Sequence, residues 1–127
     1  MNNDEQQARS QVESILEMIE SLRIAETESE REDAQTAIYE DPLEVEVRGE
    51  WHAVGAEACE ATEFKILLCT GGPAVRIRGQ LDKYSEPESA TVEFQDWGTL
   101  WEPLNGLTEA EEEAILDYSR QFYFASI

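Results

Sequence analysis

The chain has 127 residues, 29 of them Asp or Glu against 9 Lys or Arg, for a formal net charge of −20. Such an excess resists compaction and repels anionic surfaces, so it argues against nucleic acid or membrane as a direct partner and for a cationic one. With 41% hydrophobic and 9% aromatic residues, simple disorder is excluded, and no apolar run approaches the roughly 20 residues that cross a bilayer.

The length fits one domain over residues 1–127. The polar start Met1-Asn2-Asn3-Asp4-Glu5 does not read as a signal peptide. Residues 4–24 carry Val12, Ile15, Leu16, Ile19 and Leu22 on one helical stripe, with Glu13, Glu17 and Glu20 off it. Residues 26–41 predict a second helix, capped by Thr27 with Glu30 or by Ser29 with Glu32. Its apolar side is Ala34, Ala37 and Ile38, and Pro42 ends it. One long helix over 4–41 is the alternative; two are preferred.

From Leu43 the period becomes 2. Leu43, Val45 and Val47 alternate with Glu44, Glu46 and Arg48 in a half-buried strand that runs toward Trp51. Residues 55–62 are a small acidic loop. Two strands then flank the turn Thr70-Gly71-Gly72-Pro73. The first, from Phe64 to Cys69, is apolar on both faces and reads as central. The second sets Val75 and Ile77 against Arg76 and Arg78. After a polar stretch over 81–90, Thr91 to Gln95 reads as the last strand. Thr108 and Glu111 form a capping box that opens a C-terminal helix, with Ile115, Leu116, Ser119, Phe122 and Tyr123 facing the core.

The order predicts an α+β domain: N-terminal helices over 1–41, an antiparallel sheet of about four strands over 42–101, and a helix over 107–124 packed on it. Trp51, Trp97, Trp101, Phe64, Phe94, Phe122 and Phe124 are the candidate core anchors, with Trp101 the best candidate for exposure. Cys69 reads as a small buried hydrophobe and Cys59 as an unactivated thiol in an acidic stretch. Two cysteines make no disulfide framework, and a bacterial cytoplasm with reduced thiols is the expectation.

The segments Leu67-Leu68-Cys69-Thr70-Gly71-Gly72-Pro73-Ala74-Val75-Arg76-Ile77-Arg78-Gly79 and Gln95-Asp96-Trp97-Gly98-Thr99 resemble a family of small acidic proteins of unknown function from phages and prophages of proteobacteria. The resemblance covers roughly residues 40–127, and its motif residues look structural. It implies a mobile-element setting. Small acidic phage proteins include inhibitors of host defence, among them DNA-mimic anti-restriction proteins and some anti-CRISPR proteins, which is analogy between classes.

Each motif has a competing structural reading. The Gly-rich turn precedes a strand, not a helix N-terminus, so it is a hairpin turn before it is a phosphate cradle. Arg76 and Arg78 read as cross-strand partners of acids such as Glu44, Glu46 or Glu93 before they read as an anion site. Glu111, Glu112 and Glu113 complement a helix dipole more simply than they bind a cation. One histidine, no zinc spacing and no nucleophile motif point away from an enzyme, and no cofactor or metal is expected. The acidic helices remain. Carboxylates three or four residues apart lie about 5–6 Å apart, so a row of them approximates phosphates. Glu13, Glu17, Glu20, Glu26, Glu30, Glu32 and Asp33 are the expected partner-binding face, and a basic, nucleic-acid-binding host defence protein is the expected partner. The alternatives are an immunity or antitoxin-like protein that neutralises a basic toxin, and an accessory phage protein whose charge only solubilises it.

Overall fold

Ala8, Val12, Ile15 and Ile19 repeat at three- and four-residue spacing and are buried; this stripe holds the 22-residue helix α1 (Asn3–Ile24) against the core. The computed structural model describes residues 3–56, 60–96 and 98–124. Burial of each larger aliphatic side chain contributes roughly 1.5–3 kcal/mol.

Two helices form. Thr27 caps α2 (Glu28–Glu40), its Oγ1 accepting from the Glu30 N–H at 3.1 Å. The Glu30 carboxylate reaches back past Thr27 and accepts from the Glu26 N–H at 2.9 Å. The first bond satisfies a donor that a helix start otherwise leaves orphaned; the second ties the residue before the cap to the first turn. Ala34 and Ile38 anchor α2 in the core, while Ala37 is exposed.

The sheet is an antiparallel meander of five strands in the order β1 (Glu44–Gly49), β2 (Ala61–Cys69), β3 (Ala74–Gln80), β4 (Thr91–Gln95), β5 (Glu102–Pro103). The fifth strand corrects the expected four; it is two residues long, too short to show a period. At the β2–β3 turn Gly71 has φ +98° and Gly72 φ +149°, a region in which a Cβ is strained. Gly79 stands opposite Phe64 in the register. A Cβ there would overlap the Ser89 carbonyl oxygen and the Phe64 ring, so the missing side chain lets the 81–90 excursion close on β3.

One face of the sheet carries the core. Phe64, Ile66, Leu68, Val75, Ile77, Val92 and Phe94 pack with α1 and with Ile115 and Tyr118 of α3 (Glu109–Ser119). No helix among the described residues packs on the other face. β1 reaches beyond the helical layer: Leu43 and Val45 point to the core side yet stay exposed, and among the described residues its outer edge is unpaired.

Both halves of the capping box are present, Thr108 with Glu111. The last helix is shorter than the expected 107–124. After Arg120, Gln121 N–H donates to Tyr118 and Phe122 N–H to Ser119, so the end tightens and the aromatic run leaves the axis. Phe124 folds back onto Phe64, ring centroids 4.9 Å apart. Tyr118 takes the core position and Tyr123 is exposed, contrary to the expected stripe. Trp51 is fully exposed rather than a core anchor, because it follows β1 into the loop that leaves the sheet. Trp101 is half-buried. The readings placed on Cys59 and Trp97 lie outside the described residues. No described helix is long and apolar enough to cross a membrane.

Candidate functional site

All seven carboxylates of the expected face are exposed, but they do not form one row. Glu13, Glu17 and Glu20 follow i, i+4, i+7 along the outward stripe of α1. Glu20 is also paired with Arg23 at 3.6 Å, and Arg23 reaches Asp117 of α3 at 3.7 Å. Glu30 and Asp33 share a flank of α2, and Glu26 is tied to Glu30 through its own N–H. Glu32 is turned by about 100° from Asp33 around the helix axis.

Spacing limits what one row can imitate. Glu13 to Glu20 spans about 10 Å at 1.5 Å per residue, and duplex DNA presents a charge per roughly 1.7 Å of axis. Three carboxylates over that length supply about half the linear charge of a duplex. A second row would have to supply the rest; α2, which packs against α1, carries the exposed Glu30 and Asp33.

The open face of the sheet is built differently. Here Glu44, Glu46 and Arg48 of β1, Glu63 and Lys65 of β2, Arg76 and Arg78 of β3 and Glu93 of β4 share one side. That is four carboxylates against four cations. Arg48 Nε donates to Glu63 at 2.7 Å and Arg76 Nε to Glu93 at 2.7 Å. Lys65 Nζ lies 3.2 Å from Glu46 and Arg78 Nη2 3.3 Å from Glu63. The Arg76 guanidinium also lies 4.0 Å from the centroid of Trp101, a stacked cation–π contact. The Arg48 hydrogen bond is the main reason the Glu63 carboxyl sits below the usual carboxylate range, and it raises Arg48 in turn.

The expected pairing of Arg76 with Glu93 is present; Arg78 takes Glu63 instead of Glu44 or Glu46. Glu63 lies just before the strand start that the sequence predicts at Phe64, inside β2 (Ala61–Cys69). The alternation reaches back one residue to Glu63 and breaks at Thr62, where the β1–β2 register shifts although the strand itself begins at Ala61. A cavity of about 300 Å³ opens on this face, lined by Glu46, Arg48, Glu63, Lys65, Arg76 and Arg78.

Other polar groups serve the fold. The buried Tyr118 hydroxyl donates to Asp41 at 2.7 Å, tying the end of α3 to the end of α2, and burial, with the carboxylate's help, pushes its ionisation far up. Burial likewise raises the half-buried Cys69 thiol, which sits against the core. Among the described residues no group of three His, Cys, Asp or Glu is placed to hold a metal ion. The chain matches no family model, no curated protein and no solved structure.

Proposed function

We propose that this protein is a non-enzymatic inhibitor encoded by a phage or mobile element. Its acidic helical layer occupies the nucleic-acid-binding groove of a basic host defence protein. The observation that carries this reading is charge segregation. Residues 3–41 hold twelve carboxylates and three arginines, and the seven on the expected face are exposed, while the open sheet face balances its charges. A charge that only solubilised the protein would have no reason to collect on one layer. Binding follows from release of counterions on both partners, so it weakens as salt rises.

The test is a pull-down from bacterial host lysate with tagged protein, washed at low and then high salt and read by mass spectrometry. The reading expects one basic nucleic-acid-binding protein, released by salt. The control variant carries Glu13→Lys, Glu17→Lys, Glu32→Lys and Asp33→Lys. It spares Glu30, which caps α2, and Glu20, which anchors Arg23. Capture should fall by about 100-fold or more, because reversed charges meet like charges across the interface, while the far-UV circular dichroism stays unchanged. Equal capture by the variant would overturn the reading. Recovery of one basic toxin in place of a defence protein would move it to the antitoxin class on the same face.

A further inference from the structure

The open face of the sheet pairs opposite charges at three register positions: Glu46 with Lys65, Arg48 with Glu63, and Arg76 with Glu93. At one it does not. Lys65 of β2 stands directly across from Arg78 of β3, and like charges directly opposite are destabilising. This adverse pair lines the 300 Å³ cavity. The cavity lining holds four cations and two carboxylates, so it is locally positive in a chain of net charge −20.

The donors there are not used up. Glu63 is shared by Arg48, Arg78 and Gln80, so one carboxylate serves two guanidinium groups. Arg78 offers five N–H donors and Lys65 three, and each has one carboxylate contact, at 3.3 and 3.2 Å. Their side chains are 42% and 43% exposed, against 14% for Arg76, which is occupied by Glu93 and Trp101. A sheet built for stability alone would place an acid at 65 or 78.

We propose that this cavity binds a small organic anion through a carboxylate or phosphate held between Lys65 and Arg78. Arg48 and Glu63 orient Arg78, and the Arg76–Trp101 stack forms a fixed wall beside it. The volume lies at the lower end of the roughly 300–1,000 Å³ of small-molecule sites, which suits a metabolite-sized ligand rather than a polymer. The acidic helices do not forbid it. They lie on the other side of the sheet with their carboxylates turned out to solvent, where salt screens charges farther apart than the ~8 Å Debye length. The site therefore responds to its own local charges.

The experiment titrates ¹⁵N-labelled protein with inorganic phosphate and, separately, with succinate, against chloride at matched ionic strength, following the Arg48, Arg76 and Arg78 Nε–Hε resonances. The expected result is a saturable shift centred on Arg78 with at least one probe, weakened tenfold or more in both Arg78→Gln and Lys65→Gln. Phosphate alone, succinate alone or both active would identify the head group. Lys65→Gln keeps every hydrogen bond to Glu63, so it reports binding even if Arg78→Gln fails to fold. No saturable shift with either probe, or the same affinity in a folded Lys65→Gln, overturns the proposal. The helical Lys variant should bind the probes like the wild type, which keeps this site separate from the helical face.

Discussion

The helical layer and the open sheet face use charge in opposite ways. On α1 and α2 carboxylates crowd together with few partners; on the sheet nearly every charged side chain has an opposite neighbour within hydrogen-bond reach. The cause is geometric. A strand sets each side chain about 4.5–5.5 Å from one on the next strand, so a sheet face forces pairing. A helix surface has no such neighbour except along itself. Charge on the sheet is mostly committed to pairing, with donors to spare only at Lys65 and Arg78, and charge on the helices is available. Substitutions should therefore cost stability on the sheet and little on the helices.

The largest effect expected is at Gly79. Gly79→Ala puts a methyl group into the Ser89 carbonyl and the Phe64 ring, with a cost at or above the upper end of the ~1–3 kcal/mol typical of overpacking. Chemical denaturation should show a large loss or no folded baseline; a loss within ~0.5 kcal/mol would mean that the 81–90 excursion yields freely. Next comes Tyr118→Phe, which removes a hydrogen bond to a carboxylate worth about 1.5–3 kcal/mol. It has a pH signature. The folded state holds the Tyr118 proton more tightly than the unfolded state, whose value is near 10. Above pH 10 the unfolded chain loses that proton first, so wild-type stability falls there, and Tyr118→Phe should lack that part of the slope. The smallest effect is at Glu63. Its folded value lies below the ordinary 4.5, so its contribution is full above pH 4.5 and is lost as pH falls further. Glu63→Gln should flatten the acid limb of the stability curve.

Sequence patterns reached the elements whose evidence is local. The Thr108–Glu111 box, the two-helix N-terminal region and the alternation of Val75 and Ile77 with Arg76 and Arg78 each depend on neighbours within four residues. What escaped depends on pairing at a distance. The Arg78–Glu63 contact follows from the β2–β3 register, which is broken by an irregularity between Leu67 and Cys69 that no local pattern announces. β5 exists only because β4 offers it an edge. The end of α3 at Ser119 is set by where Phe124 lands on Phe64. Of the acidic face, exposure was legible; its division into an α1 row, an α2 row and an isolated Glu32 was not, because the start of α2 sets the phase.

The free edge of β1 bears on colloidal behaviour. Leu43 and Val45 sit exposed beside unpaired backbone, a template for strand addition by another copy. Each approaching copy brings its own Glu44 and Glu46, set among a −20 charge, so repulsion opposes strand addition at an edge that no described element covers. That guard vanishes where the charge does. Near the isoelectric point of about 4.1 the protein's solubility passes from electrostatics to the exposed Leu43 and Val45, and light scattering against pH would locate the crossover.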